Sequence, residues 1–138
     1  MATRFHLSLI TPTALKFEGE VEIVIAPGAA GDLGVLANHA PLLTTLRAGI
    51  VTAGSANPAA SDRVRFAVDR GFLQALADKA VILTDVAVAP EEVNGDEARG
   101  ELRRAEDALA QKHGHDDGEE RAAVAFARAR LELIARPI

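Results

Sequence analysis

Few of the 138 residues stand together in a way that could do chemistry. The densest group is His113, His115, Asp116 and Asp117, with Gly114 between the two histidines and Gly118 after the last acid. A His-x-His pair with adjacent carboxylates has the donor set for zinc or nickel. Here, however, the four residues interrupt two helix-like runs in an acidic, glycine-flanked stretch. A solvated turn is the simpler account, with Asp116 or Asp117 as a helix N-cap, and no metal is expected. His39 has no serine or cysteine motif beside it and no second histidine near it in sequence. It reads as a structural or contact residue rather than a base. The glycines between 28 and 34 are not a P-loop, because the Gly-Lys-Ser/Thr ending is missing. The chain contains no cysteine, which removes thiolate nucleophiles, disulfides and cysteine-based zinc sites together. No nucleophile pairs with a base, so no catalytic residue is expected. What remains is recognition.

Composition narrows what could be recognised. Hydrophobic residues make up 49% of the chain, but aromatic residues only 4%, with no Trp and no Tyr. The core must therefore be built from Val, Leu, Ile and Ala, and the aromatic platforms on which bases and sugars stack are missing. A net charge of −5 opposes attraction to phosphate backbones, so nucleic acid is not an expected partner. Apolar runs such as Val81-Ile82-Leu83 are far too short to span a bilayer, and no direct membrane insertion is expected.

The elements that would position these residues fall into two halves. Up to Pro90 the dominant period is two: Phe5, Leu7 and Leu9 alternate with His6, Ser8 and Ile10. Val21, Ile23 and Ile25 alternate with Glu22, Val24 and Ala26, and Val64, Phe66 and Val68 with Arg65, Ala67 and Asp69. Successive side chains on a strand face opposite sides, so each set marks a half-buried strand. Turn signals at Thr11-Pro12, Glu18-Gly19, Pro27-Gly28, Asn57-Pro58, Arg70-Gly71 and Ala77-Asp78 break these runs at short intervals. The pattern predicts a β-sandwich, or flattened barrel of short strands, over residues 1–89. Residues 54–62 read as an exposed hairpin loop.

After Pro90 the period becomes helical, with Val93, Ala98, Leu102, Ala105 and Leu109 on one stripe of a run over 91–112. A second run over 119–135 carries Val124, Ala127, Leu131 and Ile134, with Ala122, Phe126, Ala129 and Leu133 beside them. Arg136-Pro137 should stop it. The short break between the runs predicts an antiparallel two-helix hairpin over 90–138, with residues 87–94 as its hinge. Two short, Ala-rich helices bury little by themselves and need a partner surface.

One stretch makes this more than a generic β domain. Gly31-Asp32-Leu33-Gly34, followed by His39-Ala40-Pro41-Leu42 and then by Gly49 opening the next strand, resembles the signature of the ATP synthase epsilon subunit family. Thr11-Pro12, Pro27-Gly28, Gly71-Phe72-Leu73, Val81-Ile82-Leu83-Thr84-Asp85 and Asp96-Glu97-Ala98-Arg99 fall in the family's order, so the likeness runs through essentially the whole chain. Gly31 and Gly34 should let the backbone turn tightly, and Pro41 should hold Ala40 extended. Together they suggest a stiff projecting loop followed by a strand.

The resemblance implies a non-catalytic rotor subunit that couples the ring of c subunits to the gamma subunit and regulates ATP hydrolysis through its hairpin. It implies that the loop with Gly31, Asp32, Leu33 and Gly34 faces the c ring, and that His39, Ala40, Pro41 and Leu42 face gamma. In some bacterial members an apolar residue, Asp, two variable residues, Arg and Ala bind regulatory ATP. Here Asp96 and Arg99 match, both flanking positions are glycine (Gly95 and Gly100), and Arg103, Arg128 and Arg130 are available to complete a phosphate site. The alternative is that Asp96 caps the helix and Arg99 pairs with an acid one turn away. An extended hairpin would bring Arg99, Arg103, Arg104, Arg121, Arg128 and Arg130 to acidic surfaces of the alpha and beta catalytic subunits. The start Met1-Ala2-Thr3-Arg4 shows no presequence, which favours a bacterial chain at the cytoplasmic face of the inner membrane. A free-standing nucleotide- or metal-sensing β domain is the rival from another class.

Overall fold

A computed structural model describes residues 3–135. Ten strands precede two helices: β1 (Phe5–Ile10), β2 (Leu15–Val21), β3 (Ile23–Gly28), β4 (Gly31–Leu36), β5 (Leu42–Leu46), β6 (Gly49–Gly54), β7 (Val64–Val68), β8 (Gly71–Ala75), β9 (Lys79–Thr84), β10 (Ala87–Val88), α1 (Gly95–Lys112) and α2 (Gly118–Ala135). The strands run β10-β7-β6-β3-β5-β8-β9-β1-β2, with β4 added to β3, in one sheet that folds over on itself as a sandwich close to a barrel. All pairings are antiparallel except β1 with β9. Phe5, Leu7 and Leu9 point inward from β1, where Leu73 and Ile82 meet them in a core with almost no solvent exposure.

The phase expected around residue 23 is wrong by one. The chain bends at Glu22, whose N–H donates to the Gly54 carbonyl and whose carboxylate accepts from the Ala56 N–H. That corner residue belongs to neither strand and resets the alternation. Val21 ends β2 facing inward, and in β3 it is Val24 and Ala26 that are buried, while Ile23 and Ile25 are only half-buried. On β7, Phe66 and Val68 face the core as expected, but Ala67 is buried as well, because α2 covers the other face.

The helical half also begins differently from the single run expected at residue 91. Pro90–Glu92 form one 3-10 turn, in which Glu92 accepts from the Ala89 N–H at 2.8 Å and pairs with Lys16 at 3.0 Å. Val93 lies outside the helix and packs against the sandwich. Asn94 then caps α1 by accepting from the Glu97 N–H at 3.0 Å, the position expected of Asp96. His113, in the left-handed region at φ 50°, ends it. Asp117 directly precedes α2, and its carbonyl accepts from the Arg121 N–H. Arg136 and Pro137 lie outside the described residues.

The hairpin lies against the sandwich chiefly through α2. Ala129 and Leu133 meet Ala67, with Ile50, Val88, Val93 and Phe126 around them. Val124 and Ala127 are buried too, whereas α1 buries only Ala98 and packs chiefly on α2. The seam is thus made mostly of alanines and half-buried aliphatics. The first part of the expected hinge is not free, since β10 pairs with β7 and Ala87 is in the core.

Candidate functional site

The signature segment is not a free loop. Gly31 to Leu36 form β4, an edge strand paired with β3 only, and the tip of that hairpin is the exposed pair Ala29-Ala30. Gly31 does need its freedom, at φ 143°, but Gly34 is ordinary strand with room for a Cβ. The tight approach belongs to Gly28, where a Cβ would lie 2.6 Å from the Gly31 carbonyl oxygen. Asp32 is exposed yet engaged: Arg47 Nη2 donates to it at 2.6 Å, while Arg47 Nη1 donates to the Gly28 carbonyl. Arg47, which belongs to no motif in the sequence, therefore braces the hairpin from the β5–β6 turn. Leu33 is half-buried against the core.

Beyond β4, Asn38 turns the chain at φ 64°, and the His39 ring donates from Nδ1 to the Ala40 carbonyl at 2.7 Å. Ala40 and Pro41 are exposed, and the chain continues extended into β5, as the proline suggests. From there alternate side chains diverge. Leu42 turns toward the core opposite Ala75, and Leu43 stands outward, 70% exposed.

Leu43 opens onto an uncovered sheet face. The register aligns Thr45 with Phe72, Phe72 with Leu83, Leu83 with Ile10, and Ile10 with Leu15 across β5, β8, β9, β1 and β2. Phe72, Leu83 and Leu15 are 52%, 50% and 55% exposed, so one end of this face is a bare apolar strip. The opposite end is polar. The two ring nitrogens of His6 meet Glu20 at 3.0 Å and Glu18 at 3.1 Å, with Lys79 on the neighbouring strand. Hydrogen bonds to Glu20 first and Glu18 second raise the His6 pKa above its ordinary value. The sequence shows these residues only as polar or apolar strand positions. Their union into one face depends on the parallel β1–β9 pairing, which no local pattern encodes.

The nucleotide candidates do not gather. Arg99 pairs with Asp96 on its own helix. Arg128 reaches Glu106 at 3.1 Å, and Arg130 reaches Glu101 at 2.5 Å while stacking on the Phe126 ring. Arg103 is exposed and makes no ion pair among the described residues. A Cβ at Gly95 would meet Ile134 Cδ1 at 3.1 Å, so the apolar side chain of the motif would fit there only if Ile134 shifted by a few tenths of an ångström. A phosphate at Asp96 and Arg99 would have to draw Arg128 and Arg130 away from both partners. In the interhelical turn Asp117 bonds Arg121 at 2.9 Å, and no three His, Cys, Asp or Glu side chains converge among the described residues. No helix among them is long and apolar enough to cross a membrane.

Comparison with known proteins agrees with the fold and sharpens it. Residues 4–90 match the family described as ATP synthase, delta/epsilon chain, beta-sandwich domain. The ATP synthase epsilon chain of Moorella thermoacetica is 42% identical over 128 residues, which is 92% of this chain and 93% of that one. That of Desulforamulus reducens is 33% identical over 129 residues, 94% of each. Among solved structures, a chain of the Euglena gracilis mitochondrial ATP synthase superposes with a TM-score of 0.77 at 19% identity, covering 99% of this chain and 84% of that one, a likeness of fold. A signature that runs along β4 and through the turn into β5, a matching β-sandwich over residues 4–90, and 33–42% identity to epsilon chains over nearly their whole length lead to one conclusion: the chain belongs to the ATP synthase delta/epsilon chain family.

Proposed function

We propose that this chain is a non-catalytic subunit of the central stalk, in which the sandwich (residues 1–89) docks on the gamma subunit and the c ring and the hairpin (residues 90–138) regulates ATP hydrolysis. The observation that carries this reading is the uncovered apolar strip of Leu43, Phe72, Leu83 and Leu15 beside His39 and Pro41. Soluble domains rarely leave a contiguous apolar face bare unless a partner covers it. Gamma is the partner assigned to this strip, and the β3–β4 hairpin, with Asp32 beside its tip, is assigned to the c ring. The alanine-rich seam under α2 suits a hairpin that leaves the sandwich and extends along gamma, bringing its arginines to the alpha and beta subunits and limiting hydrolysis. As part of that complex the chain sits peripherally at the cytoplasmic face of the bacterial inner membrane.

Calorimetric titration against purified gamma tests the docking. One-to-one binding is expected. Phe72→Ala and Leu43→Ala should each weaken it roughly tenfold or more, as central apolar anchors do, and His39→Ala should weaken it less. Failure of two folded proteins to bind would refute the assignment. Unchanged affinity in both apolar variants would move the gamma site elsewhere.

A further inference from the structure

The turn between β7 and β8 holds an arginine that is aimed before anything reaches it. Arg70 is in the left-handed region at φ 54°, and Gly71 follows because a Cβ there would lie 2.0 Å from the Leu83 carbonyl oxygen. The hydroxyl of Thr84, a buried residue, donates to the Arg70 carbonyl at 2.6 Å. Arg70 Nε donates to Asp69 at 3.0 Å, and the other two nitrogens reach both carboxylate oxygens of Glu119 at 2.8 and 3.3 Å. Glu119 lies in the first turn of α2, so this fork ties the hairpin elbow to the sandwich apart from the apolar seam. A two-pronged bond from an immobilised guanidinium holds better than an ordinary surface pair.

Arg70 and Glu119 line a groove of about 890 Å³ that opens on the apolar strip, together with Ile10, Pro12, Phe72 and Leu83. The groove also holds Asp85, which is exposed and has no ion pair among the described residues. Asp69 and Glu119 already match Arg70, so the charge left over is negative.

Resting on the docking reading above, we propose that this groove is a socket for a cationic side chain carried on an apolar segment of the docked subunit, and that filling it opens the Arg70–Glu119 clasp and frees the hairpin elbow. A cation between Asp85 and Glu119 competes with Arg70 for the same carboxylate, whereas an acidic segment would meet Asp85 and have to displace Glu119. Coupling of this kind is reciprocal: a change that loosens the clasp and leaves the socket carboxylates intact must tighten docking by the same factor.

The chain has no cysteine, so Ala59→Cys and Gln111→Cys place two spin labels on exposed positions of the sandwich and the hairpin without background. The docked fraction is then read from the distance distribution, with and without gamma. Arg70→Gln, which breaks the clasp and leaves both socket carboxylates in place, should lower the ratio of docked to released hairpin about two- to fivefold and raise gamma affinity by the same factor, the range of exposed ion pairs. Arg103→Gln, an equal charge change on the exposed side of α1, should do neither. Asp85→Asn should leave the free chain unchanged and weaken both gamma binding and the release it causes. Gamma binding that leaves the docked fraction unchanged in the native sequence would overturn the clasp while sparing the docking reading. Absence of gamma binding would overturn both.

Discussion

Leu133→Ala should separate the hairpin from the sandwich energetically. Leu133 is 1% exposed and is the largest fully buried side chain of the two helices. It fills the seam between Ala67 and Ala129, and Val88, Ile50 and Phe126 are only half-buried around it. Truncation removes three carbons from a site whose neighbours include two alanines, which can neither reach into the space nor change rotamer. The cost therefore belongs in the usual span for a buried leucine, about 3 kcal/mol. That is roughly a hundredfold in the equilibrium between docked and released hairpin. If the hairpin opens as its own unit, amide exchange across α2 should accelerate by about that factor. Amides of Val24, Val51 and Ile82, in the sandwich core, should exchange as before. Exchange by mass spectrometry on the native and variant chains measures both. Equal acceleration in the sandwich core would mean that the two parts open together, and the case for a detachable hairpin would fail. Acceleration under about threefold in α2 would mean that Leu133 contributes little to the seam and that the argument from burial is wrong.

Gly71→Ala should destabilise the whole sandwich by at least about 2 kcal/mol in urea titration, because the new Cβ strikes the Leu83 carbonyl and the φ of 148° disfavours any L side chain. The imidazole of His6 is raised in pKa by Glu20 and Glu18, so its contribution is fully present below the unfolded value and is lost as pH rises through the folded one. Native protein and His6→Gln should therefore differ in thermal midpoint at pH 6 and converge at about pH 9, above the ordinary imidazole range. Glu119 is lowered by Arg70, so the sign reverses. The clasp should hold above the ordinary glutamate range and fail in acid, with exchange at the start of α2 rising below about pH 4.

What was legible in the sequence follows from how far each signal reaches. The inward phase of Phe5, Leu7 and Leu9 is a local alternation and reads directly, as does the change of period after Pro90. The phase of β3 does not, because the chain turns a corner at Glu22 and the count restarts there. Ala67 reads as the polar side of β7 until a helix from the other end of the chain is laid on it. Asp32 and Arg47 are fifteen residues apart and nothing between them announces a pair. The apolar strip is assembled from five strands, one of them joined by a parallel pairing, so its members look like scattered surface aliphatics in the linear chain. Arg70-Gly71 was visible as a turn. That its guanidinium would meet α2 was not, since the partner lies forty-nine residues on.

The two apolar surfaces outside the core differ in a way that bears on what each is for. The outer strip presents large side chains, Leu43, Phe72, Leu83 and Leu15, each at least half exposed. Burying any one of them is worth on the order of 1–2 kcal/mol, so a partner that covers the strip gains enough to stay. The seam under α2 has the opposite composition: Ala67, Ala129 and the half-buried Val88 and Ile50, with Leu133 as its one large buried anchor. An alanine methyl buries too little to hold a helix by itself. Such a seam closes when nothing competes and opens at modest cost, so a single exposed ion pair at its elbow can shift its balance by a useful factor. Had Ala67 and Ala129 been leucines, the helix would ride higher on the sheet and the Arg70–Glu119 fork would be a minor term. The small residues allow close approach, and the same small residues leave the decision to the clasp.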